Sequence, residues 1–142
     1  IEVMKTLWCD DVSSHQGKYF SIDAAYQNPK PVQKPHIPIL FGGESDPALL
    51  RVAQVGQGWY GFNLTPQLLE ERLGYLARLL DAQGRSIEEI RICVGPASSV
   101  RSAADFERFQ SLGVDQVVMP VMAAKISSLE ERAKKAFARV YG

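Results

Sequence analysis

From residue 37 onward, short apolar segments of strand length alternate with longer segments of helical period. Parallel strands need long crossover connections and are usually buried on both faces, so they appear as continuous apolar runs separated by helices. The alternation therefore predicts an α/β fold in which helices cover a parallel sheet. Four strands are expected, at residues 37–41, 59–62, 90–94 and 116–121.

Capping residues, glycines and prolines between these strands predict where the helices begin and end. For the first helix we expect Asp46 as the N-cap, Pro47 at the first helical position and Gly56 in a left-handed conformation at the end. The later helices are expected to be capped by Thr65, Ser102 and Ser127. The last helix is expected to bury Ala133, Phe137 and Val140.

Residues 1–36 lack this regularity. Apolar side chains within residues 2–9 recur with the spacing of an amphipathic helix, and residues 19–22 are compatible with a short strand. Prolines at four positions between residues 29 and 38 exclude a regular helix or strand ladder there. We therefore expect residues 1–36 to form the end of a helix and then a proline-rich connection on the surface of a larger structure.

The length distinguishes a half-barrel from an open sheet. A complete (β/α)8 barrel of the TIM type takes about 250 residues, whereas this chain has 142. An open flavodoxin-like sheet would begin on a strand and contain a fifth one. This chain begins with Ile1 on a helical pattern, which favours a piece of a longer chain. We expect one domain: residues 37–142 as the C-terminal (β/α)4 half of a barrel, preceded by the helix and connection of residues 1–36.

The composition argues against several classes of protein. The chain has 16 Lys and Arg against 16 Asp and Glu, so its formal charge is zero, unlike a nucleic-acid-binding or polybasic membrane protein. Cys9 and Cys93 lack the spacing of a zinc site or a disulfide scaffold. No apolar run approaches the roughly 18 residues that span a bilayer, and no signal peptide is recognisable. We expect a cytoplasmic protein without a nucleic-acid or membrane partner.

Candidate binding residues follow the first two predicted strands. Ligands in parallel α/β folds bind where the C-terminal ends of the strands meet. After the first strand, the run Gly42, Gly43, Glu44 and Ser45 offers glycines for close approach of an anion, and the next helix offers free N–H groups. This turn is either a phosphate-binding cradle or a tight turn that needs glycine. The second turn contributes Asn63 to the same edge.

No catalytic constellation can be assembled from the sequence. His15 and His36 do not lie at the C-terminal end of a predicted strand, and no Ser/His/Asp set or carboxylate pair is recognisable. Cys93 is explained as a small core residue in the middle of a strand. The catalytic residues therefore stay unassigned, and no metal site is expected.

Several short motifs occur in a particular order. Leu7-Trp8 precedes Gly-Lys-Tyr-Phe at residues 17–20 and Asn-Pro-Lys-Pro at residues 28–31, and the Gly-Gly turn precedes Gly-Gln-Gly-Trp at residues 56–59. On these motifs the chain resembles the bacterial luciferase-like monooxygenase family over nearly its whole length, and more closely the deazaflavin-dependent branch. The resemblance implies the second half of a (β/α)8 barrel.

The resemblance also implies a function. Residues 42–45 would lie near the phosphate of a flavin or deazaflavin, and Asn63 would face a small-molecule substrate. The implied reaction is hydride transfer between an organic substrate and the deazaflavin coenzyme F420, with an FMN-dependent monooxygenase as the alternative. The cofactor ring pocket and the acid/base residues would lie on the first four strands of the barrel, so the isolated chain is expected to be nearly inactive.

A non-catalytic half-barrel is the alternative from a different class. Four strands leave two sheet edges unpaired and the inner face uncovered, which favours association. Such a chain is expected to form a homodimer or to bind the missing N-terminal half-barrel.

Overall fold

The computed structural model describes residues 1–141, except for the side chains of Arg139 and Tyr141. The chain forms two compact units, Ile1–Pro38 and Ile39–Gly142. Within the described residues, no helix is both long enough and apolar enough to cross a bilayer.

The first unit combines a helix with a β-hairpin. Helix α1 (Glu2–Cys9) is followed by the antiparallel strands β1 (Ser13–Gln16) and β2 (Ser21–Ala25). The amphipathic helix is confirmed, while the strand expected at residues 19–22 lies further along the chain. Strand β1 has no counterpart in the prediction, because its sequence, Ser-Ser-His-Gln, carries no apolar alternation.

The proline-rich segment is held against α1 by side chains. The ammonium group of Lys30 donates to the backbone oxygen of Leu7 at 2.9 Å and also to that of Asp10, and both carbonyls lie at the C-terminal end of the helix. The rings of Trp8 and His36 lie 6.0 Å apart between centroids. The contacts of His36 are therefore those of a packed residue within this unit.

The second unit contains the parallel sheet. Within residues 39–141, four strands pair in the order β3-β4-β5-β6, every pair is parallel, and a helix follows each strand. The predicted α/β class is confirmed, and the sheet is open rather than closed. The elements are β3 (Leu40–Gly42), α2 (Asp46–Val55), β4 (Gly58–Leu64), α3 (Pro66–Asp81), β5 (Arg91–Pro96), α4 (Ala103–Ser111), β6 (Gln116–Val117) and α5 (Leu129–Tyr141).

One face of this sheet packs against the helices. Trp59, Ile92 and Val94 lie on it and are at most 3% exposed. The apolar stripes of the helices complete this core, because their spacing places apolar side chains on the side that faces the sheet. The other core residues that are at most 1% exposed are Leu64, the last residue of β4, and Leu49, Val52, Ala53, Leu69, Leu76, Leu80 and Phe109 from the helices.

The opposite face is partly open. The strand register places Leu40, Tyr60 and Phe62 on it, together with Gly58 and Gly95. Leu40 is 40% exposed and Phe62 is 58% exposed. A Cβ at Gly95 would lie 2.7 Å from the Tyr60 hydroxyl oxygen, so the glycine makes room for the ring. Large side chains beside glycines are typical of the interior of a barrel.

The predicted helix starts are confirmed for α3 and α4 and shifted for α2. Thr65 and Ser102 each accept a hydrogen bond from a backbone N–H of the helix that they precede. For α2 the prediction is wrong by one residue, because Ser45 and not Asp46 is the N-cap. The Asp46 carboxylate instead pairs with Arg72 on α3 at 2.9 Å.

The C-terminal end of α2 is capped by a side chain. Gly56 has φ −80°, so the predicted left-handed conformation is wrong. Arg85, which follows α3, donates to the backbone oxygens of Ala53 at 2.9 Å, Gly56 at 2.8 Å and Val52 at 3.3 Å. Its guanidinium satisfies helix carbonyls that a left-handed turn would otherwise satisfy.

The fourth β/α unit is shorter than predicted. Strand β6 covers Gln116–Val117 and not residues 116–121, because it pairs only with β5 and Pro120 lacks an N–H for a ladder. Ser127 lies inside a 3-10 turn that precedes α5, so the predicted cap is wrong. Contrary to prediction, Ala133 is exposed and Phe137 is 64% exposed.

Candidate functional site

The turn after β3 is fastened to β4. The indole Nε1 of Trp59 donates to the backbone oxygen of Gly43 at 2.8 Å, and the Gly43 N–H donates to the Tyr60 carbonyl at 3.3 Å. Trp59 is fully buried, and a buried indole N–H needs a partner. The sequence-predicted residues 42–45 are thereby held in one geometry at the C-terminal edge of the sheet.

Gly43 is the glycine that this turn requires. Its φ is +107°, a conformation that L side chains rarely adopt, and a Cβ there would lie 3.2 Å from that of Ala48. At Gly42 the nearest atom to an added Cβ is 3.9 Å away, so the backbone does not require glycine. The absence of a side chain at Gly42 instead leaves space on the open face of the sheet.

The turn offers a set of uncharged hydrogen-bond donors. Among the described residues, the N–H groups of Glu44, Ser45 and Asp46 have no acceptor, and the Ser45 hydroxyl makes no capping bond. These amides begin a helix of ten residues, whose dipole has its positive end here. Backbone amides and a hydroxyl at a helix N-terminus fit a phosphate group.

The Glu44 carboxylate is directed to the neighbouring strand. Its Oε1 accepts a hydrogen bond from the backbone N–H of Phe62 at 2.5 Å. An ionised carboxylate only accepts hydrogen bonds, so it cannot donate to a phosphate. Of the predicted cofactor-binding groups at Glu44, the backbone N–H fits that role and the side chain does not.

Asn63 lies beside this contact, in a bulge at the end of β4. The ladder pairs Phe62 with Gly95 and Leu64 with Pro96, so Asn63 is the extra residue. Its φ is +57°, a left-handed conformation that asparagine tolerates better than most residues. Bulges redirect side chains at the ends of strands. The exposed Asn63 is thereby brought to the same edge of the sheet as the turn at residues 42–45.

The polar groups of the turn after β5 form hydrogen bonds with one another and with the start of α4. The Arg101 guanidinium donates to the Ser98 carbonyl at 2.9 Å, and the Arg101 N–H donates to the Asp105 carboxylate at 3.2 Å. Hydrogen bonds from Ser102 hold the pKa of Asp105 below its ordinary value. These residues form the cap of α4.

The polar groups on the open face do not form a catalytic set. Burial raises the pKa of the Cys93 thiol, so the reactive thiolate is disfavoured. Its Sγ lies 3.8 Å from Oε1 of Gln116, which accepts from Arg91 at 3.3 Å. In the described part of the chain, His, Cys, Asp and Glu side chains form no group that could hold a metal ion.

Two contacts of this site were missed by the sequence analysis. The bond from Trp59 to Gly43 joins residues 16 apart, and the bond from Phe62 to Glu44 joins residues 18 apart. A buried tryptophan in a strand signals that its N–H needs an acceptor, but not which one. Nothing in the sequence signals the partner of Glu44.

Comparison with known proteins gives a family for almost the whole chain. The family model described as luciferase-like monooxygenase matches residues 1–139. An uncharacterised protein of Mycobacterium tuberculosis is 31% identical over 86 residues, which cover 61% of this chain and 29% of that protein. A pyrimidine monooxygenase of Allorhizobium ampelinum is 34% identical over 56 residues, which cover 39% of this chain and 15% of the enzyme. The matched segments therefore cover less than a third of each relative.

Solved structures share the fold at low sequence identity. An F420-dependent secondary alcohol dehydrogenase, in complex with an F420-acetone adduct, matches 98% of this chain and 59% of its own with a TM-score of 0.72 and 13% identity. The F420-dependent tetrahydromethanopterin reductase from Methanopyrus kandleri matches 66% of this chain and 27% of its own with a TM-score of 0.59 and 20% identity. The parallel unit is thus similar to part of the TIM barrel of luciferase-like enzymes. With a family model that spans both units, the chain belongs to the luciferase-like monooxygenase family.

Proposed function

We propose that this chain is the phosphate-binding part of an oxidoreductase that transfers hydride between a small organic substrate and the deazaflavin coenzyme F420. The observation that carries the proposal is the set of unpartnered amides at Glu44, Ser45 and Asp46, fixed at the C-terminal edge of the sheet by the Trp59 bond to Gly43. Two structurally similar proteins are F420-dependent enzymes, which supports this cofactor.

The residues have separate roles in this proposal. Gly42 and Gly43 let the backbone approach the phosphate, the amides of residues 44–46 donate to it, and the Ser45 hydroxyl adds a further donor. Asn63 lies at the substrate end of the site, with an amide that can both donate and accept. The bound cofactor supplies the hydride chemistry, and these residues bind and orient it.

FMN is the alternative cofactor. The family includes flavin-dependent monooxygenases, and a phosphate-binding turn made of backbone amides does not distinguish one phosphorylated cofactor from another. Parallel titrations with coenzyme F420 and with FMN separate the two. A higher affinity for FMN would assign the chain to a monooxygenase.

The proposed partner is an N-terminal half-barrel. The match covers 59% of the alcohol dehydrogenase and 27% of the reductase, so both enzymes extend beyond the part that this chain matches. Strands β3 and β6 are edges of the sheet, and the face with Leu40 and Phe62 is partly exposed. A second copy of the chain is the alternative occupant, which light scattering would reveal as a homodimer.

Calorimetric titration of cofactor tests the proposal, with a polypeptide of the first four β/α units supplied. Gly43→Ala strains the turn and should lower the affinity at least tenfold, and Gly43→Val with Ser45→Ala should abolish binding. Gly84→Ala is the matched control, since Gly84 also has positive φ but lies after α3 with no atom near an added Cβ. Absence of binding by the unsubstituted chain, even with the N-terminal half present, would refute the enzyme proposal.

A further inference from the structure

Glu44 is the residue of the turn whose side chain does not fit phosphate binding. Its carboxylate is half-buried and accepts a hydrogen bond from the backbone N–H of Phe62, in the neighbouring strand. Like-charge repulsion would make a free carboxylate unfavourable beside a phosphate. A hydrogen bond from a backbone amide gives this carboxylate a partner on β4 instead.

The N–H that donates to the Glu44 carboxylate belongs to Phe62, which directly precedes the bulge residue Asn63. Asn63 has φ +57°, and a left-handed conformation costs a residue other than glycine about 1–2 kcal/mol. Such a conformation persists when its surroundings determine it. On the C-terminal side, Leu64 is 1% exposed, and its carbonyl accepts from the Ala97 N–H at 2.9 Å. On the N-terminal side, the Glu44 carboxylate holds the peptide between Gly61 and Phe62.

We infer that Glu44 is a positioning residue, which holds the bulge so that Asn63 is presented at the substrate end of the site. The inference rests on the proposed function for the role of Asn63. Because Glu44 also belongs to the turn at residues 42–45, it joins the proposed phosphate end to the proposed substrate end by one side chain. Binding of a ligand at the turn should therefore change the environment of Asn63.

Amide-resolved NMR on the 15N-labelled chain tests this without activity. In Glu44→Ala the Phe62 N–H should exchange with solvent about tenfold faster or more, because it loses a charged acceptor, and the Asn63 resonances should shift. Glu44→Gln keeps an oxygen acceptor and should restore both. Glu71→Ala removes an exposed carboxylate from α3 and should leave both unchanged. Unchanged Asn63 resonances in Glu44→Ala would overturn the inference.

A titration with FMN, with the N-terminal half-barrel supplied, then tests the coupling. In the unsubstituted chain and in Glu44→Gln, FMN should shift the amides of residues 43–46 and also those of Asn63. In Glu44→Ala the shifts at residues 43–46 should remain while the shift at Asn63 is lost. Equal shifts at Asn63 in all three proteins would overturn the coupling. If FMN and coenzyme F420 shift nothing in any variant, the proposed phosphate site fails, while the ligand-free comparison still decides the positioning role.

Discussion

The two edges of the parallel sheet are built very differently. At the β3 edge, residues 39–56, helix α2 buries Leu49, Val52 and Ala53 completely. At the β6 edge, residues 116–141, the strand has two residues and the side chain of Phe137 on α5 is 64% exposed. The two edges belong to the first and the last of four successive β/α units, and their apolar patterns are similar. The difference shows that burial depends on tertiary contacts that the helical pattern alone does not supply.

Long-range hydrogen bonds occur at both edges, so they do not by themselves explain the difference in burial. The β3 edge is tied to β4 by Trp59 and by Gln57, whose Oε1 accepts from the Ile39 N–H at 3.0 Å. The β6 edge has a bond from the Val118 N–H to the Val94 carbonyl at 2.8 Å, and Arg132 donates to the Met122 carbonyl at 2.7 Å from an exposed position. What distinguishes the β3 edge, where the candidate phosphate turn lies, is the deeper burial of its helix.

The largest expected effect is the loss of Trp59. Trp59→Ala should lower the free energy of unfolding by about 3–5 kcal/mol, because it empties a fully buried ring site. Phe137→Ala, at the β6 edge, should cost clearly less, because that side chain is 64% exposed. Denaturant unfolding measures both. Equal losses would contradict the contrast between the edges.

Trp59→Phe sharpens the same comparison. It keeps an aromatic ring and removes the donor to the Gly43 carbonyl. It should cost less than Trp59→Ala and still reduce cofactor affinity, because the turn loses its attachment to β4. An unchanged affinity in Trp59→Phe would mean that the turn keeps its geometry without the indole hydrogen bond.

An intermediate effect is expected for the arginine that caps α2. Arg85→Ala should lower the free energy of unfolding by about 1–3 kcal/mol, since it removes the donor to the carbonyls of Ala53 and Gly56. Arg132→Ala removes a single exposed hydrogen bond and should cost about 0.5 kcal/mol or less.

Arg85→Lys is the control for charge. It keeps the cation but not the planar fork that reaches several carbonyls, so it should recover only part of the loss. Full recovery of stability by Arg85→Lys would assign the effect to charge. A larger loss of stability in Arg132→Ala than in Arg85→Ala would contradict the expected order of the two edges.

The smallest expected effect is on acid stability. A hydrogen bond from the Ser86 backbone, with help from Arg85, holds the pKa of Glu89 below its ordinary value, and a bond from Lys135 does the same for the pKa of Glu131. A pKa that is lower in the folded state contributes stability above the unfolded value, and this is lost as pH falls through the folded value.

The two carboxylates can be separated by substitution. Glu89→Gln should reduce the loss of stability on acidification, and should also weaken the attachment of Arg85 at the β3 edge. Glu131→Gln acts only on exposed α5 and should have the smaller effect on unfolding. Thermal unfolding between about pH 6 and pH 3 measures both, and a larger effect from Glu131→Gln would contradict the comparison.

Local signals predicted much of the fold. The caps at Thr65 and Ser102 and the stripe of α3 depend on residues within one or two helical turns, so the sequence contains them. The Arg85 cap and the partner of Glu44 join residues that are 18 to 33 apart, and such contacts exist only after folding. The length of β6 could not be predicted because an edge strand depends on what pairs with it.

The candidate site divides in the same way. The Gly-Gly turn and the position of Asn63 could be predicted from the strand-then-turn pattern. The positive φ of Asn63 and the side-chain bond of Glu44 could not, because the bulge shows only in the register of β4 against β5.

The most direct test of the central claim is an amide-resolved titration with coenzyme F420, with the N-terminal half-barrel supplied. We predict that the free amides of residues 44–46 shift on binding, while the Asp105 amide at the start of α4, which already donates to Ser102, does not. Binding that leaves residues 44–46 unchanged, or no binding at all, would contradict it.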